Sequence, residues 1–98
     1  MISNTAKLVN TTYTYDSIGQ PVETETFTEI FIEERSITRT EWAEAGRIGH
    51  NPSIQLATPY MNYDGQEEVE YKGVRYAIYR TYQHGDIVEL YLEKKGGV

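Results

Sequence analysis

Turns at regular intervals constrain this chain more than any other feature. Asp16-Ser17-Ile18-Gly19-Gln20-Pro21, Asp64-Gly65, Lys72-Gly73 and His84-Gly85-Asp86 each combine a glycine with residues that favour tight reversal. Glycine supplies the positive φ that short hairpin turns require. Between the turns, apolar and polar residues alternate, which is the period of a strand with one face buried. Residues 7–15 end in Tyr13-Thr14-Tyr15, with Thr at alternate places. Over 22–37, Val22, Thr24, Thr26, Thr28, Ile30 and Ile32 alternate with Glu23, Glu25, Glu29 and Glu33. Phe27 and Phe31 put apolar bulk on the acidic side, which predicts a strand partly covered on both faces in its middle. A sheet that curls into a barrel, or an element packed across it, provides such cover. Three more runs, 67–71, 74–82 and 87–93, read as a C-terminal antiparallel meander that sets Val69 and Tyr71, then Val74, Tyr76 and Ile78, then Val88, Leu90 and Leu92 each on one face of their strand.

One segment breaks the strand rhythm. Residues 38–46 read as a short helix, with Thr38 and Glu41 spaced as a capping box and Gly46 placed to end it. A loop over 47–53 follows, and then a strand over 54–57 that runs into Pro59 and is held by it to an edge or a strand end. The expected fold is one all-β, mainly antiparallel domain over 1–98. It is a small β-barrel or roll of about six strands with one short helix and long loops.

A domain of 98 residues buries only about 60–65% of its unfolded surface. That leaves a modest core and little room for a deep catalytic cleft. The chain has no cysteine, so disulfides and thiolate zinc sites are excluded. The composition fits a reducing compartment without requiring one. Its net charge of −6, from 15 acidic and 9 basic side chains, opposes nucleic-acid binding. No apolar run approaches the roughly 18 residues of a membrane helix. The start Met1-Ile2-Ser3-Asn4-Thr5 lacks the pattern of a signal peptide, so synthesis in the cytoplasm is the expectation.

Little in the residue pattern points to catalysis. His50 and His84 are the two histidines, each in a glycine-flanked loop. Ser3, Ser17, Ser36 and Ser53 lie in no nucleophile elbow. Asp64-Gly65-Gln66-Glu67-Glu68 lacks the alternating oxygen ligands of a calcium loop. No pair of carboxylates stands out for glycoside hydrolysis, and there is no glycine-rich phosphate loop. No metal, cofactor or enzymatic activity is expected. Lys72, Arg75 and Arg80 stand close in sequence to Tyr76, Tyr79 and Tyr82, the ingredients of a single-stranded nucleic-acid-binding barrel. That is the alternative reading. The nine tyrosines suit both half-buried strands and contact surfaces. Trp42, the one tryptophan, either lies as a lid on a barrel face or anchors an interface. With Arg47, Ile48, His50 and Asn51 of the following loop it forms the candidate subunit or partner interface.

Three stretches together resemble phage head closure proteins, also called head–tail joining or head completion proteins. They are the turn Asp16-x-x-Gly19-Gln20-Pro21-Val22-Glu23-Thr24, the element Trp42-Ala43-x-Ala45-Gly46, and the meander. The meander runs Tyr63-Asp64-Gly65-x-x-x-Val69-x-Tyr71-x-Gly73-x-x-Tyr76-x-Ile78-x-Arg80-Thr81-Tyr82-x-x-Gly85-Asp86-x-x-Glu89-Leu90. The resemblance spans roughly residues 8–93, with 47–60 matching only loosely. It implies a structural virion protein of a tailed phage or prophage. Such proteins form a ring in the head–tail connector, close the DNA-filled head and present the tail docking surface. The implied partners are copies of itself, a portal-adjacent adaptor protein, and a tail or tail-terminator protein. Packaged DNA passes through the channel without specific binding, and no membrane is involved. The implied location is the virion, and the host cytoplasm during assembly. No motif assigns a channel-plugging role to named residues; the loop over 47–53 is the candidate for ring contacts.

Overall fold

The structure, a computed structural model, describes residues 4–95. The two ends of the expected 1–98 domain, including residues 1–3 read for a leader signal, lie outside the described residues. Six strands run in the order β1 (Asn4–Tyr15), β2 (Pro21–Arg35), β3 (Pro52–Pro59), β4 (Glu68–Tyr71), β5 (Val74–His84) and β6 (Ile87–Lys94). Helix α1 (Arg39–Arg47) joins β2 to β3, and a 3-10 turn (Tyr60–Asn62) follows β3. The order around the sheet is β1-β2-β3-β6-β5-β4, and it closes where β4 pairs with β1. All neighbours are antiparallel. The all-β class therefore holds, as a closed six-stranded sheet of the small barrel or roll kind.

Alternation explains the closure. Leu8, Leu56, Val69, Leu90 and Leu92 face inward with no exposed surface, joined by Ile30, Ile32 and Tyr76. Each such side chain contributes about 1.5–3 kcal/mol through burial. Thr58, buried among them, donates its hydroxyl to the Phe31 carbonyl (2.8 Å) and accepts from Asn62 Nδ2 (3.2 Å), so its polar atom carries no desolvation penalty. Pro59 stands at the end of β3, where its missing N–H costs no ladder bond.

The helix starts as its sequence indicates and stops later. Thr38 Oγ1 accepts from the Glu41 backbone N–H (3.1 Å). Gly46, expected to end the helix, lies inside it; the left-handed residue is Gly49, at φ 94°. The His50 N–H reaches the Ala45 carbonyl (2.9 Å) and the Gly49 N–H the Gly46 carbonyl (3.2 Å), the paired bonds of a Schellman cap. Both glycines stand near the helix end, and spacing alone did not distinguish them. The expected 47–53 loop is correspondingly short, with Arg47 in the helix and β3 beginning at Pro52.

Candidate assembly surface

The closed part of the sheet uses only a fraction of β1 and β2. β4 pairs with β1 at Lys7, Leu8 and Val9, and β3 pairs with β2 at Glu33, Glu34 and Arg35. Beyond those contacts the two strands continue as a two-stranded ribbon, still paired from Asn10↔Thr26 to Tyr15↔Pro21. Every residue from 11 to 29 is exposed. The ribbon projects roughly 20 Å at the rise of an extended strand. It gives the molecule extents of 50 × 30 × 25 Å and a radius of gyration of 15.0 Å, against about 13 Å for a compact chain of this length.

Local chemistry forms the ribbon's tip. Asp16 Oδ1 accepts from the Ile18 N–H (3.0 Å) and the Gln20 N–H (2.9 Å), and Gly19 takes φ 82°. The root is fastened to the barrel from two sides. Gln66 Nε2 donates to Asn10 Oδ1 (2.9 Å), and Asn10 Nδ2 donates to Thr28 Oγ1 (2.9 Å). From β5, Arg75 holds Glu68 (2.8 Å) and Glu25 (3.3 Å) and lies over the Phe27 ring at 5.8 Å. Hydrogen bonds from Lys95 and then Arg75 hold the Glu68 carboxyl below the usual glutamate range. The arm is thus a positioned element with apolar side chains in solvent, among them Tyr13, Tyr15, Ile18 and Phe27.

Phe27 and Phe31 correct the expectation of cover on both faces: they are 47% and 69% exposed. The apolar bulk on the acidic side lies on the outer face of the sheet, where only the Arg75 guanidinium comes over Phe27 and no strand or helix covers either ring. Tyr60 and Met61, in the 3-10 turn after β3, are exposed as well.

The candidate residues of the helix and its loop lie on the outer wall. Trp42 is 59% exposed, so it is not a lid; Ile48 is 74% exposed. Arg47 pairs with Glu44 on its own helix (2.6 Å). His50 and Asn51 are tied down instead. His50 stacks on Tyr79 at 4.8 Å and contacts Glu93 Oε2 (3.0 Å), which also accepts from the Asn51 N–H (3.0 Å). The structure therefore brings Trp42, Arg47 and Ile48 to the surface and uses His50 and Asn51 as anchors.

A β-bulge secures the helix. The register of β5 on β6 shifts between Ile78 and Arg80, which leaves Tyr79 as an extra residue and turns both Tyr79 and Arg80 outward. Tyr79 donates its hydroxyl to Glu41 (2.8 Å), and Arg80 grips the same carboxylate while lying 4.1 Å over the Tyr91 ring. Burial, with the bond to Glu41, pushes the Tyr79 hydroxyl far above its ordinary pKa. Tyr91 in turn donates to Glu89 (2.8 Å), which also meets Arg35 (2.8 Å) and His84 (3.2 Å). Burial opposes the Glu89 charge, but the bonds from Tyr91 and His84 outweigh it and lower its pKa.

This pairing bears on the nucleic-acid reading. Lys72, Arg75 and Arg80 are each committed to a carboxylate, to Glu34, to Glu25 and Glu68, and to Glu41. Tyr76 lies in the core. The basic and aromatic residues that stand together in sequence do not form an open basic groove. The tyrosines divide between both expected roles: Tyr71, Tyr76 and Tyr91 are buried, while Tyr13, Tyr15, Tyr60 and Tyr82 are exposed. No protein-family model and no curated protein matches the chain.

Proposed function

We propose that this chain is a structural assembly protein, and specifically a head-closure subunit in the head–tail connector of a tailed phage or prophage. The carrying observation is the ribbon of β1 and β2, exposed over residues 11–29 with Tyr13, Tyr15, Ile18 and Phe27 in solvent. A lone two-stranded ribbon gains little stability in water, and apolar side chains held out on it suit a protein contact. Trp42 and Ile48, exposed on the helix end, offer a second contact of the same kind. The sequence resemblance supplies the specific setting: a ring of copies between an adaptor and a tail protein, in the virion. Charge fits that setting. An acidic protein around a DNA channel repels phosphate and lets the duplex pass.

The test is to add purified protein to tail-less, DNA-filled heads of the phage or prophage that encodes it. Electron microscopy is expected to show an added ring at the portal vertex, with DNA leakage stopped. No density at the vertex, with single-stranded DNA retarded by the same protein, contradicts the proposal and favours the nucleic-acid alternative.

A further inference from the structure

We infer that the free edge of β2 is a strand-addition site for a different protein, whose docking strand carries Lys or Arg at alternate positions. This deepens the assembly reading above by naming what one face of the arm takes.

Backbone direction comes first. The Asp16 N–H donates to the Gln20 carbonyl (3.0 Å), which makes these two a hydrogen-bonded pair. Antiparallel pairs alternate between bonded and non-bonded. Val22, Thr24, Thr26 and Thr28 therefore turn their backbone groups toward β1, and Glu23, Glu25, Phe27 and Glu29 turn theirs to the open side. The Phe31 carbonyl follows the same parity and meets Thr58 of β3. Since β3 joins β2 only at Glu33, Glu34 and Arg35, the outward groups from Glu23 to Glu29 have no strand partner among the described residues. Such a row is a template for a further strand.

Charge then selects the occupant. Glu23, Glu25 and Glu29 project from one face of that edge, with Phe27 among them. Arg75 reaches Glu25, Lys7 of β1 stands directly opposite Glu29 without closing an ion pair, and Glu23 stands opposite Tyr13 with no ion pair among the described residues. A second copy is a poor partner. Antiparallel pairing of two free edges, in the three registers of greatest overlap, sets Glu23 opposite Glu29, Glu25 opposite its own copy, or Glu25 opposite Glu29. Like charges directly opposite are destabilising. A strand with Lys or Arg facing these glutamates, and an apolar residue facing Phe27, satisfies both the backbone and the charges.

The test uses the full chain, isotope-labelled, with a short synthetic strand of alternating Lys and Val or Thr, and the same strand with Glu for Lys. The Lys strand is expected to slow amide exchange at Glu23, Glu25, Phe27 and Glu29 by about tenfold or more, while Thr24 and Thr26 stay unchanged. The Glu strand is expected to do nothing. The double variant Glu23→Lys, Glu29→Lys, checked for an unchanged barrel spectrum, is expected to reverse the preference. Protection by neither strand, equal protection by both, or a dimer of the chain alone with the same amides protected overturns the inference. Head binding is read separately by microscopy. A ring at the vertex without strand binding rejects the edge site alone, and absence of the ring rejects the connector reading.

Discussion

Gly49 ends the helix because only a residue without Cβ takes φ 94° at low cost. No atom stands within contact of a Cβ added there, so Gly49→Ala is expected to lose about 1–2 kcal/mol from backbone strain alone. Thermal denaturation measures it, and Gly46→Ala, inside the helix, is expected to be neutral or stabilising in the same assay. Tyr71 carries a second residue-scale effect. Burial, then its hydrogen bond to Glu34, pushes its hydroxyl from 10.0 up to about 12. The fold favours the neutral phenol, so its contribution is complete below pH 10 and is lost as pH rises toward about 12. Tyr71→Phe is expected to flatten the stability profile in that range. Glu89 acts at the opposite end, with a lowered pKa. Its contribution is present above the ordinary carboxylate range and lost as pH falls through its folded value. Glu89→Gln is expected to be less stable at neutral pH and less sensitive to acid.

Elements differ in what holds them. Leu90 and Leu92 have no exposed surface, and either Leu→Ala change is expected to cost about 2–5 kcal/mol by leaving a cavity. Phe27→Ser or Ile18→Ser, on the exposed ribbon, is expected to change monomer stability by less than about 0.5 kcal/mol. Arg75→Gln loosens the fastening of the ribbon root and is expected to cost about 1 kcal/mol, since its ion pairs are only partly buried. It is also expected to speed amide exchange from Asn10 to Thr12. The succession of strands along the chain and the meander were legible in the sequence because alternation and glycine turns act locally. The same alternation misled at Phe27 and Phe31, where period 2 names the two faces of a strand but not what stands against them. The bulge at Tyr79 left no sequence mark either: no glycine accompanies it, and its outward residues are held by Glu41, far away in the chain.

The whole molecule combines a closed sheet around one core with an arm that adds no residue to that core. That division depends on where β3 and β4 stop pairing, a non-local fact that a single sequence does not display. Trp42, Arg47 and Ile48 were legible as surface candidates from residue type and helix position; the ribbon, which exposes more apolar surface, was read only as the two opening strands. The net charge of −6 is also unevenly spread. Arg35, Arg47, Arg75, Arg80, Lys72 and Lys95 each lie in an ion pair on or near the barrel, whereas Glu23 stands on the arm and forms none among the described residues. Contacts made there are expected to weaken as salt rises, because exposed charges are screened.

The most direct measurement shortens the arm without touching the barrel. Deleting residues 12–15 and 21–24 joins Thr11 to Asp16 and Gln20 to Glu25. It keeps the turn, the pairing parity and the Arg75–Glu25 contact. If the arm is the assembly surface, the shortened chain melts within about 3 °C of the full chain and fails to add a ring to DNA-filled heads. A shortened chain that is equally stable and still fills the portal vertex contradicts that role.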